Sequence, residues 1–292
     1  MKGVLIISIQ RLLGFSLIVF LCQGVSVAQL NVDLQLGRRQ FIVNEAIPLA
    51  VQLTNRAGQE LLLHGDGRRP WLNITVTNQR GNIVAPYQAF EFQAAKVPVG
   101  RAVARRVNLS SLFPLTSIGK YTVKTAVTLP TGETFQSGSK TFDITKGRTL
   151  YQQRIGLGGK ARDYRLISFA VGQSAYLYFE AELVDQHRVV YCYPLGEMLR
   201  HRKPEATVDK NGQLNVLYLG APEVHVHVLI DSKGKVVDRT LFKRGPSGHP
   251  RLIAFANGEV KVAGGIVFDP EAQKAQREKI RKISERPTLF FD

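Results

Sequence analysis

The chain has 292 residues, 44% of them hydrophobic, a formal net charge of +16 and two cysteines. That apolar share excludes a chain too polar to fold, and two cysteines exclude a small secreted scaffold held by several disulfides. The positive excess makes an anionic polymer a candidate partner from the outset.

The first element is a leader. Lys2 and Arg11 flank a short apolar opening, and an apolar run follows from Leu12 to Cys22, broken by Gly14 and Ser16. Ser26-Val27-Ala28 then places small residues at the −3 and −1 positions of a signal-peptidase site. The run is shorter than the roughly 20 apolar residues a membrane helix needs. The expectation is therefore a secreted or periplasmic product beginning near Gln29, with no transmembrane segment after cleavage. A lipoprotein is the rival, but Leu21 precedes Cys22 where lipobox motifs carry a small residue. Cleavage leaves Cys192 as the one thiol, so stability must come from packing, as suits a bacterial envelope protein.

Residues 29–146 read as the first β domain. In Ile47-Pro48-Leu49-Ala50-Val51-Gln52-Leu53 the large apolar residues alternate, and Leu72/Ile74/Val76 and Tyr121/Val123/Val127/Leu129 repeat the pattern. Turn residues separate these runs at Asn55-Arg56-Ala57-Gly58, Gln79-Arg80-Gly81-Asn82, Ser117-Ile118-Gly119 and Pro130-Thr131-Gly132. About seven or eight strands fit between Asn31 and Ile144, a number and spacing that point to a β-sandwich. The order FIVNEAIPLAVQLTN, LNITVTNQRGNIV, SIGKYTVKTAVTLPTG and KTFDI resembles an immunoglobulin-like domain of the macroglobulin type found in secreted bacterial proteins. Gly119-Lys120-Tyr121 resembles the tyrosine corner of such folds. The resemblance implies architecture alone, without the paired cysteines or strand tryptophan of true immunoglobulin domains. Trp71, opening a strand, reads as a core residue of the sandwich.

Residues 147–163, with Gly147, Gly156, Gly158 and Gly159 among basic residues, read as a linker or long first loop. Gly156 to Lys160 is not a phosphate loop, because Arg154 stands where the first glycine belongs and Ala161 follows Lys160. Residues 164–268 read as a second β domain. Ala175/Leu177/Phe179/Ala181/Leu183, Leu214/Val216/Tyr218 and Val224/Val226/Val228/Ile230 each share a strand face. Turns fall at Asp209 to Gly212, Asp231 to Gly234 and Asn257-Gly258, the last a type I′ signal. In residues 269–292 Asp269 can cap a helix, Pro270 suits its first position and Pro287 stops it.

The fold class is thus all-β, with two β-sandwich-like domains and a short C-terminal helix. The basic residues fall in separate clusters: Arg101/Arg105/Arg106, the set Arg148/Arg154/Lys160/Arg162/Arg165, Arg200/Arg202/Lys203, and Lys243/Arg244. Spread over many loops, they read as a solvated basic surface that loosely favours anionic envelope polymers, not as a nucleic-acid site.

Two constellations could carry chemistry. Alternation puts His225 and His227 on one strand face, about 7 Å apart at the backbone, with Glu223 on the same side. That set could hold Zn²⁺ and activate a water; otherwise it is the polar face of a half-buried strand, and no cofactor is needed. Tyr176, Tyr178, Glu180 and Glu182 share another face, where tyrosines could stack on sugars and two carboxylates divide acid and base roles. Neighbours on one strand, however, tend to have similar pKa values. Ser247 and His249 lie in a Gly-Pro-Ser-Gly-His connector that is no nucleophile elbow, and Cys192 reads as a buried small hydrophobe. The expectation is an exported, non-catalytic binding or structural module whose partner is an envelope protein or an anionic polymer. A metal-assisted or glycan-directed hydrolase using the second domain is the alternative.

Overall fold

The computed structural model describes residues 30–275, apart from 68 and 157–160, together with residue 278. The residues read as a leader and cleavage site, with Cys22, lie outside the described residues, as does most of the segment after residue 275. In chain order the strands are β1 (Leu30–Leu36), β2 (Gln40–Ile42), β3 (Pro48–Asn55), β4 (Leu61–Leu63), β5 (Leu72–Asn78), β6 (Ile83–Val84), β7 (Ala95–Val97), β8 (Ala102–Asn108), β9 (Gly119–Thr128), β10 (Thr134–Gln136) and β11 (Lys140–Thr145). One helical turn, α1 (Leu109–Leu112), follows β8. The strands continue as β12 (Arg148–Ile155), β13 (Arg162–Val171), β14 (Ser174–Leu183), β15 (Arg188–Met198), β16 (Glu205–Val208), β17 (Leu214–Ala221), β18 (Val224–Ile230), β19 (Val236–Arg244), β20 (Arg251–Ala254), β21 (Val260–Ala263) and β22 (Gly265–Val267). The protein is all-β, with a helix from residue 270 near its end. Asp269 caps that helix, its Oδ1 accepting from the Glu271 and Ala272 amides.

The chain divides into two compact units. Of the described residues, the first comprises those up to Arg39, Ile47–Pro114 and Lys120–Phe142. Here β3 pairs antiparallel with β1 on one side and β8 on the other, while β6, β5 and β9 form a second sheet with β10 on the end of β9. Alternation decides which face is buried: Leu49, Val51 and Leu53 of β3, Leu72, Ile74 and Val76 of β5, and Val123 and Val127 of β9 all point into the core. Each such side chain contributes roughly 1.5–3 kcal/mol. Tyr121 is buried and stacks on Phe142, ring centres 5.6 Å apart. Asn55 is fully buried without cost in unmet polarity, because its amide donates to the Gln59 and Val97 carbonyls and its Oδ1 accepts from the Ala57 amide.

The second unit comprises Gln40–Ala46, Leu115–Gly119 and the described residues from Asp143 on. One sheet runs β12-β13-β14-β15 and another β16-β17-β18-β19-β22, with β20 and β21 as a separate hairpin. Their shared core contains Tyr164, Leu166, Leu177, Phe179 and Leu195 from the first sheet and Leu214, Val216, Tyr218, Val228 and Ile230 from the other. β17 is buried at every position from Leu214 to Leu219, so both of its faces are covered and not one alone. β2 pairs in parallel with the last three residues of β11.

Two expectations need correction. The segment 147–163, read as a linker, is strand over Arg148–Ile155, antiparallel to β13 with a bulge between Thr149 and Tyr151. Leu150, Tyr151 and Ile155 pack against the core, and the bulge breaks the period of two that would have revealed them. The Asn257-Gly258 turn is not type I′, because only Gly258 has positive φ (77°). The Gly258 amide donates to the Phe255 carbonyl and the Phe255 amide to Glu259, a type I turn closed by a left-handed glycine. Asp209 and Asp231 head the same turn, each carboxylate accepting two backbone amides.

Candidate functional site

The histidine pair lies on β18, between β17 and β19. His225 is 2% exposed and stands opposite Leu219 and Phe242; His227 stands opposite Leu217 and Thr240. Glu223 is exposed in the turn before the strand, with φ 63°, and does not share their setting. His227 Nε2 is 3.0 Å from Asn215 Oδ1. No group of three or more His, Cys, Asp or Glu side chains able to hold a metal exists among the described residues. The pattern of alternation is real, but the site it suggested is not assembled from these three residues.

Burial holds the pKa of both imidazoles below the usual 6.5, reinforced at His225 by the charges of Arg202 and His249 and opposed by Glu205. Neither ring nitrogen of His225 has a hydrogen-bond partner. A depressed histidine pKa means that the unfolded chain takes up a proton before the native one. Stability is thus full above pH 6.5 and falls as the pH drops below it, by up to about 1.4 kcal/mol per pH unit for each histidine. Urea unfolding at pH 7.5 and 5.5 is expected to show this loss. His225→Leu removes one histidine's share and, by deleting an unpaired buried polar group, is near neutral at pH 7.5; an unchanged acid loss in the variant would count against the assignment.

The second constellation lies on β14, and its members are separated by burial. Tyr176 is half-buried, whereas Tyr178 is 1% exposed, packs edge-on against Phe169 and donates to Glu45 Oε1 at 3.1 Å. A buried tyrosine offers no platform for a sugar. Glu180 and Glu182 both belong to Arg165, which donates to Glu180 Oε1 at 2.7 Å and to Glu182 Oε2. Glu180 also accepts from the Asn44 amide at 3.2 Å. Burial opposes the charge of Arg165, but the two carboxylates outweigh it and raise its pKa. These acids are ionic partners of an arginine and not a pair with divided roles. Cys192 is half-buried, with Sγ 3.7 Å from the Val43 carbonyl.

The distinctive site of the second unit was missed as a unit in the sequence. A cleft of about 430 Å³ is lined by Arg148, Thr149, Leu150, Ser168 and Met198 and by the run Arg200-His201-Arg202-Lys203-Pro204. Sheet register explains the convergence. Arg148 is opposite Ser168, Ser168 opposite Leu177, and Leu177 opposite Gly196, so the start of β12 and the end of β15 lie on one row. Three strand spacings, about 14 Å, separate them, an interval that arginine side chains reaching from both sides can span. The row unites two basic clusters that are about fifty residues apart in sequence. Among the described residues no carboxylate lines the cleft.

Its cations differ in how they are held. Arg202 donates to Glu205 at 3.4 Å and to the Pro250 carbonyl at 3.3 Å, so its guanidinium is oriented from behind. Arg148, Arg200 and Lys203 are exposed and have no ion pair among the described residues. The Thr149 and Ser168 hydroxyls add neutral donors, while Leu150, Met198 and Pro204 give the walls an apolar part. Guanidinium forks beside hydroxyls suit an anion with several acceptor oxygens.

No protein-family model matches the sequence, and no curated protein matches it. Among solved structures, the chain is similar to Spo0M, a sporulation control protein from Bacillus subtilis, at 10% identity over 58% of this chain and 91% of that one, with a TM-score of 0.30. The YadV chaperone aligns at 9% identity over 72% of this chain and 99% of that one, with a TM-score of 0.23. At these values neither likeness bears on what the chain binds or does.

Proposed function

We propose that the chain is a non-catalytic binding protein, exported to the cell envelope, that takes an anionic partner in the cleft between β12 and the segment after β15. One observation carries the reading: among the described residues five basic side chains, Arg148, Arg200, His201, Arg202 and Lys203, line the cleft and no acid does. The arginine and lysine charges among them repel one another, so an arriving anion relieves that repulsion while making charge-assisted hydrogen bonds. The leader supports delivery to the envelope.

The test is a variant with Arg148→Ser, Arg200→Ser and Lys203→Ser, titrated against dextran sulfate. Each hydrogen bond to a charged group contributes about 1.5–3 kcal/mol, and exposure discounts this strongly, so the expected loss is about 10- to 100-fold in affinity. Rising salt weakens the wild type and narrows the difference. Because all three side chains are exposed, the unfolding midpoint moves little. Equal binding by wild type and variant would remove the cleft from the mechanism.

A further inference from the structure

We propose that the cleft is one half of a track that holds a flexible chain of linked phosphates. The inference rests on the anion-binding reading above and deepens it from a charge class to a ligand. A second hollow of about 510 Å³ lies within the same unit and shares Thr149 with the cleft. Each hollow falls in the range that holds a drug-sized molecule, about 300–1,000 Å³, and exceeds a single phosphate group. Alternation along β13 puts Ser168 on one face of the sheet and Arg165 and Ile167 on the other, so a ligand that fills both hollows passes round the edge strand β12 at Thr149.

The second hollow offers the donors that a continuing anion needs. Lys146 is exposed there, and the side-chain amides of Gln152 and Asn44, which already donate to Asp163 and Glu180, each keep a second N–H. Its one acid, Glu180, does not repel a ligand as a free carboxylate would, because Arg165 and Asn44 already occupy its oxygens. Lys203, Arg200 and Arg148 line the first hollow and Lys146 lines the second. A polymer carrying charge on every repeat meets several of them at once.

The lining also selects the kind of polymer. Among the described residues neither hollow is lined by a Phe, Tyr or Trp side chain, so neither offers an aromatic platform for bases or sugar rings. Donors come from opposite walls: Arg148, Thr149 and Ser168 from the sheet, and Arg200, His201 and Lys203 from the segment after β15. A phosphate presents oxygens in tetrahedral directions and can accept from both walls, whereas a carboxylate offers two oxygens in one plane.

The experiment uses the full chain and calorimetric titration at fixed salt, with ligands compared at equal phosphate or charge concentration. Long inorganic polyphosphate is expected to bind at least tenfold more tightly than tripolyphosphate, with orthophosphate weaker still. Polyglutamate and single-stranded homopolymer DNA are expected to fall at least fivefold below polyphosphate. Lys146→Ser should weaken long polyphosphate several-fold and leave tripolyphosphate unchanged, a split that a general loss of positive charge does not produce. Equal affinity for long and short phosphates overturns the track and leaves the anion cleft standing, and equal or tighter binding of polyglutamate or DNA overturns the phosphate assignment. If no anion binds, or if the triple cleft variant binds polyphosphate as the wild type does, the anion-binding reading itself falls.

Discussion

Replacing Arg165 by Met is expected to destabilise the second unit by about 3 kcal/mol, the low end of the cost of breaking a buried ion pair by removing one partner, because Glu180 is buried and Arg165 and Glu182 are half-buried. Arg165 is directly opposite Glu180 in the β13–β14 register, while Glu182 is opposite Asp163, so one guanidinium serves two acids on the neighbouring strand. The side chains are 24%, 7% and 16% exposed for Arg165, Glu180 and Glu182. Without the arginine, two carboxylates of like charge remain side by side, one of them, Glu180, almost wholly buried. Adding Glu180→Gln and Glu182→Gln to the variant removes that charge and should restore most of the loss. Urea unfolding of the three proteins at neutral pH decides the matter. A loss below about 1 kcal/mol in Arg165→Met would class the group with exposed salt bridges.

Trp71→Ala is expected to cost the first unit about 3–5 kcal/mol, the range for deleting a large aromatic side chain from a core. Trp71 is 1% exposed, its indole N–H donates to the Phe92 and Gln93 carbonyls at 3.1 and 3.2 Å, and Phe92 meets its ring edge-on at 6.3 Å. Trp71→Phe keeps much of the volume and loses the donor, so its cost should be distinctly smaller. As the only tryptophan, Trp71 also reports directly on its surroundings. Native emission should be blue-shifted and protected from iodide, with circular dichroism following the unfolding of the alanine variant. Quenching as strong as in the unfolded chain would contradict the core position.

Where one face of a strand is buried and the other wet, the fold could be read from the residues. Leu49/Val51/Leu53 and Leu72/Ile74/Val76 alternate in the sequence because they alternate in the structure. Reading failed where a strand has both faces covered or neither. On β14 alternation separates Tyr178 and Glu180 from the main core, yet a second cluster with Ile42, Ile167 and Phe169 packs around Tyr178 and buries it. The segment 40–46 that supplies Ile42, Asn44 and Glu45 is more than a hundred residues distant in sequence, and no local period announces it. β12 failed in the opposite way, since five of its eight residues are exposed. The basic cleft was visible only as separate clusters, because pairing register, which brings Arg148 to the row of Gly196, is a property of four strands together.

β12 is also the last strand of its sheet, with no strand on its outer side among the described residues. Such an edge is a template on which a second chain can assemble, and the bulge after Thr149 together with Arg148 and Arg154 discourages this by shape and by charge. The guard and the candidate binding surface therefore share a residue. An anion that settles on Arg148 neutralises part of what keeps copies of the protein apart, so colloidal behaviour should depend on occupancy. Concentrated protein would be clear alone, turbid near charge balance with a polyanion, and clear again once excess ligand reverses the sign of the edge.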